Sequence, residues 1–108
     1  MRPIRFKKTA LLPQTKAYHK RLNLLFKSLH INPCWSDIIT IIRQYPQCLR
    51  QAYEVVDKNI EDYVWALTPL MIAGMYNQSE AIKVCIDHGA QIEQKCHGRS
   101  AAFWAAEY

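Results

Sequence analysis

Residues that break regular structure are scarce here: 108 residues include three glycines and five prolines, and half are hydrophobic. A chain of this size forms one small domain with a marginal core. Long apolar segments are also lacking. The longest, Val64 to Met75, is interrupted by Thr68-Pro69 and falls well short of the roughly 20 residues that a membrane-spanning helix needs. We therefore expect a soluble protein.

The four cysteines are not accompanied by a secretory signal, since the chain opens with Met1-Arg2-Pro3 and has no continuous apolar segment after it. Although four cysteines could form two disulfides, we expect reduced thiols in an intracellular, reducing compartment. Cys96-His97 is the only adjacent cysteine–histidine pair. Because neighbours in sequence cannot supply the spacing of zinc pairs, we expect no metal site.

Acidic residues are absent from the first 36 positions, which carry eight basic residues, whereas the rest of the chain has six bases and nine acids. Such a basic head can bind the phosphates of nucleic acid or of an anionic lipid surface, and it also resembles an organelle-targeting sequence. We favour the simpler interpretation, a solvated helix face behind a basic, flexible tail over residues 1–13. The basic residues are Arg2, Arg5, Lys7, Lys8, Lys16, Lys20, Arg21 and Lys27.

Apolar side chains at helical spacing predict two antiparallel helices in residues 14–45. The first stripe consists of Tyr18, Leu22, Leu25, Phe26 and Leu29, and the second of Ile38, Ile41, Ile42 and Tyr45. Asn32-Pro33 separates the two helices, and Ser36-Asp37 offers a side-chain cap to the second. In residues 46–67, the apolar side chains repeat consistently neither at helical spacing nor at the two-residue spacing of a strand. For them we predict a helical turn followed by an extended loop.

Residues 68–92 carry clear boundary signals. Thr68 offers a hydroxyl at a helix cap, and Pro69 takes the first helical position, where its missing N–H costs nothing. A short helix is predicted to about Tyr76, after which Asn77 tolerates a left-handed backbone. A second helix is predicted from Glu80 to His88, ended by Gly89.

This order of helix, tight turn, helix, glycine and extended finger resembles the ankyrin repeat, whose unit of about 33 residues contains T-P-L-H-x-A. The matching stretches are Thr68-Pro69-Leu70-Met71-Ile72-Ala73, Glu80-Ala81-Ile82-Lys83-Val84 and Gly89-Ala90-Gln91-Ile92. A second copy starts at Gly98-Arg99-Ser100, with Ser100 lying 32 positions after Thr68. We therefore assign a degenerate repeat to 14–46, a good repeat to 68–99 and a half repeat to 100–108.

The resemblance implies an all-α fold: a short ankyrin-like solenoid of antiparallel helix pairs with finger-like loops, in one domain over residues 14–108. Its parts are a divergent helix pair (14–45), an irregular connection (46–67), one repeat (68–99) and half a repeat (100–108). Repeats bury their apolar faces only against neighbours. We expect the last helix to be uncapped and to expose Phe103 and Trp104. This predicts that the natural chain continues past Tyr108, which is the interpretation that we favour. The alternative is that another molecule, such as a second copy, covers this end.

The resemblance also implies a non-enzymatic protein that binds another protein and needs no cofactor. Consistently, the sequence has no Gly-rich phosphate loop, no nucleophile elbow and no triad spacing. We expect the largest contributions to binding energy from Trp65, Met75, Tyr76 and Arg99, because aromatic, methionine and arginine side chains dominate interface energetics. Alternatively, Trp65 packs on its own loop and Met75 fills the core. Carried over from the family, the contact positions are Val64, Trp65, Leu67, Met75, Tyr76, Cys96, His97 and Arg99.

Two function classes follow. In the first, the protein is an adaptor or scaffold; short ankyrin proteins with worn repeats resemble effectors that intracellular bacteria deliver into the host cytoplasm. In the second, residues 2–27 dock on anionic lipid or nucleic acid. Binding to phosphate should weaken steeply with salt, whereas a contact centred on aromatic side chains should respond little.

Overall fold

The computed structural model describes residues 13–60 and 62–108. Within these ranges it contains five α-helices, a 3-10 turn at Pro46–Arg50 and one two-stranded antiparallel sheet. The fold is thus a helical repeat fold, for which "all-α" is only approximate. None of the described helices is long and apolar enough to cross a membrane. The helices are α1 (Pro13–Lys27), α2 (Trp35–Gln44), α3 (Pro69–Met75), α4 (Ser79–Asp87) and α5 (Ala101–Glu107), and the strands are β1 (Tyr53–Val56) and β2 (Val64–Leu67).

Both helices predicted before residue 46 are present. Helix α1 buries Leu22 and Phe26 and packs mainly on β1, and Leu29 is buried in the turn after it. Helix α2 buries four isoleucines and packs against α4. The predicted cap of α2 is wrong, because the helix starts at Trp35 with Cys34 at the cap position, so that Ser36 and Asp37 lie inside its first turn. The Asp37 carboxylate instead accepts a hydrogen bond from the Cys34 thiol at 3.1 Å.

Residues 53–67 form a β-hairpin, not the extended loop expected from the sequence. Tyr53 pairs with Leu67 and Val56 with Val64, and residues 57–60 and 62–63 lie at the tip. Tyr53 and Val55 are buried on one side of β1 while Glu54 is exposed. This two-residue alternation is what one buried face of a strand requires. The predicted helical turn before it is present as the 3-10 turn.

Helix α3 is the central element, and every one of its residues is buried. It starts where predicted, with Thr68 at the cap and Pro69 in the first position, although the Thr68 hydroxyl makes no capping hydrogen bond. A Cβ atom added at Gly74 would lie 3.2 Å from the Ala105 Cβ. The absence of a side chain at Gly74 therefore lets α3 and α5 approach closely.

The turns that separate the helices of the good repeat follow the prediction. Asn77 has a φ of 55° and Gly89 a φ of 94°, so both occupy the left-handed region. Helix α4 buries Ala81, Val84 and Cys85. Helices that hold the same place in successive repeats pack on each other. The first helices, α3 and α5, are in contact, and so are the second helices, α2 and α4. One core cluster runs through all of these elements.

Candidate protein-binding surface

Aromatic and basic side chains from three separate elements meet beside the tip of the hairpin. We call Tyr63, Trp65, His97, Arg99 and Phe103 the fingertip surface. Tyr63 and Trp65 come from the hairpin, His97 and Arg99 from the turn before α5, and Phe103 from α5. Trp65 is half-buried and the other four are exposed. Trp65, His97 and Arg99 are among the contact residues predicted from the sequence, whereas Tyr63 and Phe103 are not.

Trp104 lies beneath the fingertip surface and is fully buried. Its ring meets that of Trp65 edge-on at 5.0 Å between centroids and that of Phe103 at 5.8 Å. Such edge-to-face pairs stabilise beyond their burial alone. The expectation that α5 exposes Trp104 is therefore wrong, because the hairpin covers it.

The turn that carries His97 and Arg99 is a two-residue hairpin turn. Cys96 and Arg99 exchange backbone hydrogen bonds of 3.0 and 3.1 Å, and His97 and Gly98 both have positive φ, 56° and 74°. Two successive left-handed residues characterise the turn that matches strand twist. It holds the His97 ring edge-on to Trp65, at 4.9 Å between centroids.

The guanidinium of Arg99 lies over the rings of this surface. Its central carbon is 4.6 Å from the centroid of Phe103, 5.5 Å from that of Trp104 and 6.0 Å from that of Trp65. These are distances for cation–π attraction. None of the ion pairs formed among residues 13–60 and 62–108 uses Arg99. Its positive charge therefore lies against aromatic rings, and no carboxylate of the described residues forms an ion pair with it.

The Asp57 carboxylate fixes the hairpin to α5. It is only 2% exposed and accepts hydrogen bonds from the Trp65 indole N–H (2.7 Å) and the Tyr108 hydroxyl (2.6 Å). The backbone N–H groups of Asn59 (2.7 Å) and Ile60 (3.2 Å) bind its other oxygen. Burial alone would raise the pKa of Asp57, but these bonds to the charged form outweigh it and hold the pKa below its ordinary value.

A cleft of about 800 Å³ lies beside the hairpin tip and is lined by Val56, Asp57, Val64, Tyr76 and residues of the loop. Val64 is next to Trp65 in β2 and so points to the opposite face of the strand. The Tyr76 hydroxyl donates to the Val56 carbonyl at 3.0 Å, and the Lys58 ammonium lies 5.5 Å from the Tyr76 ring. Two predicted contact residues, Val64 and Tyr76, thus line this cleft and not the fingertip surface.

Two of the predicted contact residues are corrected by the structure. Leu67 and Met75 have no exposed surface. Leu67 points to the core side of β2, and Met75 lies in the fully buried α3, so neither can reach a partner without unfolding. Cys96, a third predicted contact, is half-buried at the start of the turn.

The predicted basic patch is only partly visible, since Arg2, Arg5, Lys7 and Lys8 lie outside the described residues. On α1, Lys16 and Lys20 are exposed. Arg21 pairs with Asp37 at 3.3 Å and Lys27 with Glu54 at 3.7 Å. Such exposed ion pairs contribute little to stability. They nevertheless reduce the charge that this part of α1 presents.

Comparison with known families decides what the stacked helices are. A model described as "Ankyrin repeats (3 copies)" matches residues 38–108, from α2 through the hairpin to α5. The chain belongs to the ankyrin repeat family. Ankyrin repeats are generally protein–protein interaction modules, and the family is typically non-enzymatic. Neither a search of curated proteins nor a search of solved structures gives a significant match.

Proposed function

We propose that this ankyrin protein binds another protein through the fingertip surface, and that the bound segment presents a carboxylate beside an apolar side chain. The observation that carries the proposal is Arg99, a cation stacked on aromatic rings and without an ion pair among the described residues. Aromatic residues and arginine are the side chains that most often dominate binding energy. Here they adjoin each other on one exposed surface.

The surface is held in place before any partner arrives. The Trp65 indole is fixed by its hydrogen bond to Asp57, and its ring rests on the buried Trp104. The tight turn fixes the backbone of His97. Because little side-chain entropy remains to be lost on binding, contacts made here should contribute much of their energy to affinity.

The chemistry of the partner follows from the charge of Arg99. Its central guanidinium carbon lies 4.6 to 6.0 Å from three ring centroids, and no carboxylate among the described residues pairs with it, so its N–H groups can bind a carboxylate of a ligand. A planar fork of donors matches a carboxylate in a bidentate manner. The neighbouring Phe103 and Tyr63 rings offer apolar area beside it. A segment that combines Asp or Glu with an aliphatic or aromatic residue meets both requirements.

A selection from random peptides displayed on phage tests the proposal, with affinities of the selected peptides then measured by titration calorimetry. We expect enrichment of peptides with an acid next to an apolar residue. Arg99→Ala should weaken binding about tenfold or more, as loss of a charge-assisted hydrogen bond does. Arg99→Lys should recover only part of it, because lysine lacks the planar fork.

Arg50→Ala is the matched control, since it removes an exposed arginine from the distant 3-10 turn. Phe103→Ala tests the apolar half of the surface. Selected peptides that bind Arg99→Ala and Phe103→Ala as tightly as the unchanged protein would refute the proposal.

The cellular setting belongs to the proposal as well. All four cysteines are free thiols, and Cys48 and Cys85 are buried without a disulfide partner. This supports a reducing, intracellular compartment. A role as an effector in a host cytoplasm, and docking of the basic segment on lipid or nucleic acid, are hypotheses from the sequence; the ion pairs of Arg21 and Lys27 do not favour the second.

A further inference from the structure

The hydrogen bonds of the hairpin show which backbone groups of its two strands point outward. In an antiparallel pair, residues that exchange hydrogen bonds alternate with residues whose N–H and C=O groups point away from the other strand. The N–H of Asp57 donates to the carbonyl of Tyr63 at 2.8 Å, and these two residues continue the register of the strands. Counting back from this bonded pair, the outward-pointing groups belong to Glu54 and Val56 in β1 and to Val64 and Ala66 in β2.

The outer edge of β1 is covered by other parts of the protein. The N–H of Glu54 donates to the Asn23 side-chain oxygen at 2.9 Å, and the carbonyl of Val56 accepts from the Tyr76 hydroxyl at 3.0 Å. Both contacts involve groups that the alternation points outward, so they agree with the assignment. Helix α1, which carries Asn23, also packs on this strand.

The outer edge of β2 has no such cover in the part of the chain that the structure describes. Apart from the pairing with β1, the backbone of Val64 and of Ala66 takes part in no hydrogen bond within residues 13–60 and 62–108. The neighbouring turn forms its backbone hydrogen bonds within itself, between Cys96 and Arg99. Val64 and Ala66 are both exposed. Their N–H and C=O groups therefore form a row that an extended chain can bind.

The sequence of β2 lacks the features that keep an open edge from binding another strand. Natural sheets protect such edges with a charged residue, a proline or a bulge. Val64–Leu67 contains neither a charge nor a proline, and its register with β1 is regular over the whole strand. The strand that does carry a charge, at Glu54, is the covered one. The open edge of β2 is thus suited to accept an additional strand.

Charge distinguishes a strand of another protein from a second copy of this chain. A two-fold pairing that uses Val64 and Ala66 would set Trp65 opposite its own copy. The Arg99 guanidinium carbon lies 6.0 Å from the Trp65 ring, so two like charges would be brought together. A strand with Asp or Glu opposite Trp65 instead brings the opposite charge to Arg99.

We propose that a partner binds β2 as an added strand, with its backbone paired to Val64 and Ala66 and an acidic side chain opposite Trp65, next to Arg99. Directly opposed residues of neighbouring strands project to the same face, so the acid lies on the fingertip surface. Its two neighbours in the partner project to the other face, beside the apolar side chains of Val64 and Ala66. This inference rests on the proposed function and adds to it the conformation of the bound segment.

N-methylation of the peptide backbone tests the strand pairing. The probe is the tightest-binding peptide from the phage selection, synthesised with one N-methyl group at each position in turn and measured by titration calorimetry. Methylation removes an N–H donor and adds bulk at the paired edge, while every side chain stays the same. We expect binding to weaken about tenfold or more at two positions that flank the acid, and to change less than about threefold at the acid itself.

Ala66→Pro tests the same pairing from the side of the protein. Proline removes the outward N–H and is tolerated on edge strands. Because Ala66 donates no hydrogen bond to β1, circular dichroism should show an unchanged fold, whereas peptide binding should weaken about tenfold or more. Ala66→Ser is the matched control, since it changes the side chain but keeps the N–H, and its affinity should stay within about twofold.

The outcomes separate this inference from the proposed function. If Arg99→Ala weakens binding, but Ala66→Pro does not or N-methylation acts equally at all positions, the proposed function stands and the added strand is overturned. If the alternating pattern appears but Arg99→Ala has no effect, the added strand stands and the carboxylate contact of the proposed function is refuted. A protein that dimerises without peptide, and that Ala66→Pro makes monomeric in sedimentation velocity, would show that a second copy binds the edge and would overturn the inference.

Discussion

Asp57 is the residue whose replacement should be most informative, because one buried carboxylate joins the hairpin tip, β2 and the end of α5. Asp57→Asn preserves shape and one acceptor oxygen, which can keep the two backbone hydrogen bonds. The new amide N–H₂ faces the Trp65 indole N–H, so that a buried donor loses its acceptor. A hydrogen bond with Tyr108 survives only with its direction reversed, the amide N–H donating to the phenol oxygen, and without the charge.

The expected loss follows from these two changes. A buried donor left without a partner costs about 1–3 kcal/mol, and loss of the charge from the Tyr108 hydrogen bond costs about 1 kcal/mol more. We therefore expect Asp57→Asn to lower the free energy of unfolding by about 2–4 kcal/mol, a large share of the roughly 5–15 kcal/mol that a small domain has. Urea unfolding followed by circular dichroism measures this difference.

Asp62→Asn provides the control within the same loop. Asp62 is exposed and has a φ of 65°, a conformation that asparagine also tolerates, so its change should stay within about 0.5 kcal/mol. Equal stabilities of the two variants would refute the reasoning. A double-mutant cycle adds a second check, because Tyr108→Phe should cost clearly less in the Asp57→Asn background than in the unchanged protein.

The pH dependence of the same variants has a definite sign. The pKa of Asp57 is lower in the folded than in the unfolded protein, so its contribution is complete above the unfolded value and is lost as pH falls through the folded one. The stability difference between the unchanged protein and Asp57→Asn should therefore shrink below about pH 4. A difference that stays constant from neutral pH to the acid limit would contradict the assigned shift.

Two further predictions concern packing and thiols. Gly74→Val should lower the free energy of unfolding by about 2 kcal/mol or more in urea titrations, because even a Cβ there would lie 3.2 Å from Ala105; an unchanged midpoint would show that α3 and α5 can separate freely. In the folded protein at pH 8, a colorimetric thiol reagent should modify the two half-buried cysteines before the two buried ones, because it cannot reach the buried thiols, whose pKa burial also raises, to about 12 for Cys85; four equal rates would contradict this. The hydrogen bond to Asp37 raises the pKa of Cys34 too, so that access and not pKa sets this order. The half-buried cysteines are Cys34 and Cys96, and the buried ones are Cys48 and Cys85.

The helices and their turns could be predicted because their signals are local. The isoleucines of α2 repeat at helical spacing, and Asn77 and Gly89 stand where the backbone must become left-handed. The hairpin was missed because its strands have only four residues each. In so short a stretch, Tyr53 and Val56 fit helical spacing as well as Tyr53 and Val55 fit a strand.

The binding surface could be predicted only in part, for a similar reason. Family positions predicted Trp65, His97 and Arg99 as contacts, and the structure brings these three together, but spacing alone cannot tell which side of a strand or helix is covered. Asp57 gave no recognisable signal, since its side-chain partners lie 8 and 51 positions away in the sequence. Phe103 was assigned to an open end because burial of its neighbour Trp104 depends on the hairpin.

The hydrogen bond between Asp57 and Tyr108 also bears on how the protein is made. A chain emerging from the ribosome has its hairpin sequence available early, yet the hydroxyl that completes the Asp57 site is synthesised 51 residues later. Until then, the carboxylate has its hydrogen bonds from Asn59, Ile60 and Trp65 but lacks the one from Tyr108, and the Trp65 side of the hairpin has no α5 to rest on. Folding of this finger is therefore complete only after α5 and Tyr108 have left the ribosome.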